Sequence, residues 1–142
     1  MINKMKTAQE AVAGIQDGMT IMVGGFLATG SPEILMDALV EKGVKHLTVI
    51  GNDGGLDAGQ PAGEFAAKTA RGIGKLLEHH MVDHIIASHL GVNPKLNEQF
   101  AEGTLRYTLV PQGTLAEKIR AAARTEDFDS DRCWYADGNR AR

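Results

Sequence analysis

Cysteine is nearly absent: Cys133 stands alone in 142 residues, so no internal disulfide forms and a reducing compartment is the simplest setting. It sits in a polar stretch beside Trp134, poor surroundings for a nucleophile. Long apolar runs are missing too. None approaches the roughly 20 residues that span a bilayer, and Met1–Lys6 lacks the apolar stretch of a secretory leader; the expectation is a cytoplasmic protein with no membrane partner. Nor is there an excess of charge of either sign, since 15 Lys and Arg against 18 Asp and Glu leave a net charge of -3. The basic residues are scattered rather than gathered into a stripe, which argues against nucleic acid as a partner. Internal repeats are lacking, and 142 residues suit one domain with a real core rather than several.

What is there alternates between helical and strand signals. Thr7 with Glu10 three residues later reads as a capping box, and Val12 and Ile15 continue a short helix that should end near Asp17-Gly18. Met19–Val23 is a brief apolar run closed by Gly24-Gly25, a buried strand. Ser31 is an N-cap candidate with Pro32 in the first helical position and Glu33 favourable to the dipole; Ile34, Leu35, Ala38 and Leu39 share a face, and Gly43 stops the helix. Leu47–Ile50 is a second buried strand running into Gly51-Asn52-Asp53-Gly54-Gly55. Residues 57–80 carry helix in two pieces, broken at Gly72-Ile73-Gly74, with the register left open. His84–Leu90 and Leu105–Val110 read as strands, and Thr114 caps a helix through about Ala123. This order predicts an α/β domain: an open, mostly parallel, Rossmann-like sheet with flanking helices and with ligand-facing loops at the strand carboxyl ends. From Arg124 the text turns polar and loses its period, so the expected division is a domain over 1–123 and an unstructured tail over 124–142.

Three loops follow predicted strands: Gly24-Gly25-Phe26, Asn52-Asp53-Gly54-Gly55 and Pro111-Gln112-Gly113-Thr114. In an open parallel sheet they fall on one edge, where Asn52 and Gln112 would converge as donors to a carbonyl or carboxylate. The competing account is that the glycines make tight turns while Asn and Gln satisfy local backbone. His79, His80, His84 and His89 crowd one segment, yet their spacing fits no zinc pattern, so no metal is expected. Gly72-Ile73-Gly74 lacks the third glycine of a dinucleotide fingerprint, and Gly24-Gly25 lacks the lysine-serine pair of a phosphate loop. Asp53 and Asp57 form a conceivable acid-base pair, but a solvated loop accounts for both.

The run DGMTIMVGGFLATGSP from Asp17 to Pro32 resembles the signature of family I CoA-transferase α subunits: an Asp-Gly turn, an apolar triplet, Gly-Gly-Phe, then Gly-x-Pro. LTVIGNDGG at Leu47, GIGKLL at Gly72, IIASHLGVNP at Ile85 and VPQGTLAEKIRA at Val110 follow in the family's order, and the likeness covers most of residues 5–122. It is nearest to the acetate/acetoacetate and butyrate transferases of short-chain fatty-acid metabolism and extends to the 3-oxoacid transferases. The resemblance implies a subunit of a hetero-oligomer that moves CoA between a short-chain acyl-CoA and a carboxylate, with CoA as substrate and no further cofactor. The reaction would pass through a glutamyl-CoA thioester with ping-pong kinetics. The nucleophilic glutamate would sit on the β subunit; no Glu-Asn-Gly or Glu-Ser-Gly occurs in this chain, which would be inactive alone. Asn52 and Gln112 would be the polar residues of the α side, and Gly24, Gly25 and Phe26 a substrate-facing loop.

Two departures stand out. Roughly a dozen residues between Asn52 and Gly72 are extra relative to the family, an expected surface excursion around Phe65–Ala70. After the last helix the family's glycine-rich segment and second half are replaced by the polar tail. Codons for Asp129–Tyr135 read one nucleotide later can spell Thr-Pro-Thr-Gly-Val-Gly-Thr, the family's missing text, so a frameshift near Ala122–Arg124 is the expectation, checked by the nucleotide sequence. The rival readings are a non-catalytic module binding CoA or an acidic metabolite, and a truncated fragment without function.

Overall fold

The computed structural model describes residues 5–58 and 69–122; the polar tail, Cys133, Trp134 and most of the extra segment lie outside them. Four strands, β1 (Thr20–Met22), β2 (Leu47–Ile50), β3 (Val82–Ala87) and β4 (Arg106–Leu109), form one sheet in the order β1-β2-β3-β4, with every neighbouring pair parallel. The crossovers carry α2 (Glu33–Lys42), α3 (Ile73–Glu78) and α4 (Pro94–Ala101); α1 (Ala8–Val12) precedes β1 and α5 (Gln112–Ala122) follows β4.

Sequential strand order with right-handed crossovers sends all three crossover helices to the same face of the sheet. Side-chain alternation shows the division. Val49 and Ile85 point into the large core with Leu39, Leu76, Leu77 and Leu96. Their chain neighbours Ile50 and Ile86 point the other way and pack with Leu115 and Ile119 of α5. Leu47, Val49 and Ile50 of β2 are buried on the two faces and only Thr48 is half-buried, so the strand reads as a mostly apolar run.

Local chemistry explains the ends of the elements. The Thr7–Glu10 capping box is present: the Glu10 N–H donates to Thr7 Oγ1 at 3.2 Å and the Thr7 N–H to Glu10 Oε2 at 2.8 Å. The helix ends at Val12, well before Asp17, because Lys42 Nζ reaches across from α2 and takes the carbonyls of Val12 at 3.0 Å and Ala13 at 2.6 Å. Gly43 closes α2 in the left-handed region (φ 72°), as expected. Ser31 does not cap α2: the N-cap is Pro32, with no side-chain cap bond. Ile34 is not in the buried stripe either, being 74% exposed while Met36, Ala38 and Leu39 are buried; at about 100° per residue Ile34 falls at the edge of that stripe. Helix α5 begins two residues before Thr114, its first bond running from the Leu115 N–H to the Pro111 carbonyl at 2.9 Å.

Helix α4 was not anticipated, although Asn93 and Pro94 announce it. Asn93 Oδ1 accepts the Lys95 N–H at 3.1 Å and Pro94 occupies the first turn, the usual opening of a helix. Gln99, almost fully buried, ties α4 to α3 by donating to the Leu77 carbonyl at 2.7 Å. On either side of the extra segment, Leu56 and Arg71 exchange two backbone bonds of 3.1 and 3.0 Å, pinching its base. Just beyond, Gly74 lies so close that a Cβ there would be 2.1 Å from the Leu56 carbonyl oxygen. The GIGKLL segment is therefore a packing motif.

Candidate active site

The loops after the strands stand side by side, because the parallel pairing continues past the strand ends. The Val23 N–H donates to the Ile50 carbonyl at 2.9 Å, Gly51 to Ile86 at 3.1 Å, Ser88 to Asn52 at 3.0 Å and Val110 to Ala87 at 3.0 Å. Along one edge the order is thus Gly24–Phe26, Asn52–Asp53, Ser88–His89, Pro111–Gln112. Asn52 and Gln112 share that edge two strand spacings apart, about 10 Å across the sheet.

Asn52 is half-buried and its orientation is fixed. Ser88 Oγ lies 2.7 Å from Asn52 Oδ1 and 2.9 Å from the Asn52 carbonyl, donating to them. With the amide oxygen engaged by Ser88, Nδ2 is the donor end of the carboxamide, and it has no hydrogen-bond partner among the described residues. Gln112 is exposed at the first residue of α5, where the unpaired amides of a first turn add positive potential. Ser88 was missed in the sequence; its role depends on the β2–β3 register, which no local pattern reveals.

The Gly24–Phe26 loop divides into a structural and an open half. Gly25 has φ 125° and a Cβ there would sit 2.3 Å from Ser31 Oγ, so only glycine fits, whereas a Cβ on Gly24 would meet nothing within 4 Å. Phe26 projects with 57% of its surface exposed. It opens a tight turn in which Phe26 and Thr29 exchange backbone bonds of 3.0 and 2.8 Å, with Leu27 (φ 49°) and Ala28 (φ 61°) both left-handed.

The acidic pair is not solvated. Asp53 and Asp57 are 4% and 9% exposed, which overturns the solvated-loop reading. Asp53 Oδ2 accepts the Leu27 N–H and Oδ1 the Gly55 N–H, both at 2.8 Å, so both oxygens hold backbone. The histidines disperse: His79 follows the last turn of α3, and His84 lies on β3 with Nε2 2.9 Å from Thr108 Oγ1. Burial, and secondarily the Arg106 charge, lower the pKa of His84 below the ordinary 6.5. The Asp-Gly of the signature is also structural, since Asp17 Oδ1 accepts the Lys45 N–H at 2.8 Å.

Among proteins of known sequence, the chain is 43% identical over 120 residues to the acetate CoA-transferase subunit alpha of Escherichia coli K12, covering 84% of this chain and 49% of that protein. It is 44% identical over 111 residues to a probable coenzyme A transferase subunit alpha of Bacillus subtilis, covering 78% and 43%. With the acetoacetyl-CoA:acetate/butyrate CoA transferase alpha subunit of Clostridium acetobutylicum it shares 42% over 106 residues, covering 75% and 43%. The chain thus spans about half the length of these relatives. An acyl-CoA transferase of Escherichia coli O157:H7, solved as a thioester complex with CoA, superposes with a TM-score of 0.63 at 28% identity, over 83% of this chain and 22% of that one. The decarboxylase AibA/AibB shares the fold alone, at 21% identity and a TM-score of 0.62 over 83% of this chain and 42% of that one. The coenzyme A transferase family profile matches residues 5–131, and the chain belongs to that family.

Proposed function

We propose that this chain supplies the α side of a hetero-oligomeric acyl-CoA:carboxylate CoA-transferase for short-chain acids, and that its β subunit brings the nucleophile. The carrying observation is the fixed carboxamide of Asn52, held by Ser88 with its N–H end available at the strand edge. The relatives named above are alpha subunits, which supports a β partner; the acetate, acetoacetate and butyrate in their names support the substrate class. Fold alone would not choose this chemistry, since a decarboxylase shares it.

In the proposed reaction the partner's glutamate attacks the acyl-CoA carbonyl and CoA leaves as the thiolate. The thiolate then attacks the glutamyl carbonyl, releasing the first carboxylate and leaving a glutamyl-CoA thioester. A second carboxylate reverses both steps and carries CoA away. Each step passes through a tetrahedral centre bearing negative charge, which N–H donors fixed in advance stabilise most. Asn52 and Gln112 are those donors, and CoA enters as substrate.

The test is co-expression of the full chain with the β subunit and assay of CoA transfer between acetyl-CoA and acetoacetate or butyrate. Transfer is expected in the complex and absent from either chain alone. Asn52→Ala and Gln112→Ala should each lower kcat by roughly 100-fold or more, the usual cost of losing one such donor. A wild-type complex without transfer, or full activity in both variants, overturns the proposal.

A further inference from the structure

Asp53 lies next to Asn52 in the chain but faces the other way, inward beneath the Gly24–Phe26 loop. It is 4% exposed, and both carboxylate oxygens are spent on backbone: Oδ2 on Leu27, Oδ1 on Gly55. Burying a carboxylate is costly unless its oxygens are satisfied, so two amides held at 2.8 Å make a built contact.

What this contact holds is a conformation that its own residues disfavour. A two-residue turn with both central residues left-handed is normally filled by Asn-Gly or Gly-Gly. Here it is Leu27-Ala28, at φ 49° and 61°, where each side chain opposes the backbone. Such strain persists only where the surroundings over-determine it, and it gathers at functional sites. Two restraints are visible: Ala28 is 3% exposed, and the Leu27 N–H is taken by Asp53. We infer that Asp53 is a positioning residue for CoA transfer: its carboxylate clamps the left-handed Leu27–Ala28 turn and thereby fixes Phe26 and the Gly24–Gly25 backbone at the strand edge beside Asn52.

The inference rests on the proposed function, and its test separates the two. Asparagine is nearly isosteric with aspartate but carries one acceptor and one NH2 group, so Asp53→Asn sets an N–H against one of the two amides. In the complex with the β subunit, hydrogen–deuterium exchange at the Leu27 or Gly55 amide should rise by about tenfold or more in Asp53→Asn, with core amides such as Ile85 unchanged. The kcat should fall by about tenfold or more while KM for the acyl-CoA shifts by less than about threefold. Adding Leu27→Gly, which removes the left-handed penalty, should restore part of the kcat. Unchanged exchange at both amides overturns the clamp. Faster exchange with full kcat, or a loss that follows melting temperature and is not relieved by Leu27→Gly, reduces Asp53 to a structural residue. A wild-type complex that transfers no CoA overturns the functional reading and the kinetic half of this one, while the exchange rates still decide whether the clamp exists.

Discussion

Glycines 24 and 25 are adjacent, identical and written into the same motif, yet they answer to different constraints. Gly25 is enforced from within the fold, by φ 125° and by Ser31 Oγ 2.3 Å from its absent Cβ. Gly24 is enforced by nothing among the described residues, for its Cβ would enter open space. Close approach of a ligand to the backbone is one use of a glycine that the fold itself does not require, and under the proposed function it is the use assigned to Gly24. Gly25→Ala is therefore expected to destabilise the fold by roughly 1–3 kcal/mol through strain and displacement of Ser31. Gly24→Ala should leave stability equal or raised by about 0.5 kcal/mol, since it removes unfolded-state freedom alone, while CoA transfer in the complex falls. Urea denaturation of both variants beside the transfer assay checks the pair; a Gly24→Ala protein as active as wild type would place the ligand elsewhere. At this scale the sequence was half legible. The sequence puts Asn52 and Gln112 in loops after strands, and the structure sets both on one edge of the sheet; the contacts of Ser88 to Asn52 and of Asp53 to Leu27 cross 36 and 26 residues of chain and leave no local signal.

Among the elements, those with a chemical marker at their ends were readable and those ended by tertiary contact were not. The capping box gave the start of α1 and Gly43 the end of α2. The end of α1 is set by Lys42 of another helix, and α5 starts three residues before a Thr114 cap would allow because the Pro111 carbonyl, not Thr114, opens its ladder. The parallel β-α-β alternation was legible, whereas the sequential order β1-β2-β3-β4 follows from packing that local patterns do not contain. The Lys42 contact makes a prediction of its own. A cation on carbonyls at a helix C-terminus satisfies acceptors the helix cannot, and complements its dipole. Lys42→Ala should cost about 1 kcal/mol, with Lys42→Arg retaining most of it. Exchange should quicken at α1 amides before those of β2 or β3, because α1 packs on α2 at the rim of the core. Equal exchange in α1 and wild-type stability in Lys42→Ala would remove the contact from the account.

For the molecule as a whole, the sheet has one face under three helices and another under α5, and among the described residues the second is unevenly covered. Ile50 and Ile86 pack with α5, but the next row on that face, Thr20, Thr48, His84 and Arg106 in register across all four strands, is polar and open to solvent in part. His84 is therefore a point at which the stability of the sheet depends on pH. Its pKa is lowered, first by burial and then by Arg106, so the native chain resists protonation where the unfolded chain accepts it. With the unfolded histidine titrating near pH 6.5, the native state keeps its full stability above that pH. Stability then falls as pH drops from the unfolded value through the lower folded value, since the unfolded state binds more protons across that window. His84→Gln keeps an amide able to bond Thr108 and carries no titrating group, so its melting temperature should decline less than that of wild type between pH 7 and pH 5. Arg106→Gln removes the smaller cause and leaves burial in place, so its curve should fall between the two. A His84→Gln protein that loses as much stability as wild type over this range, measured at one ionic strength, would show that the proton is taken up elsewhere.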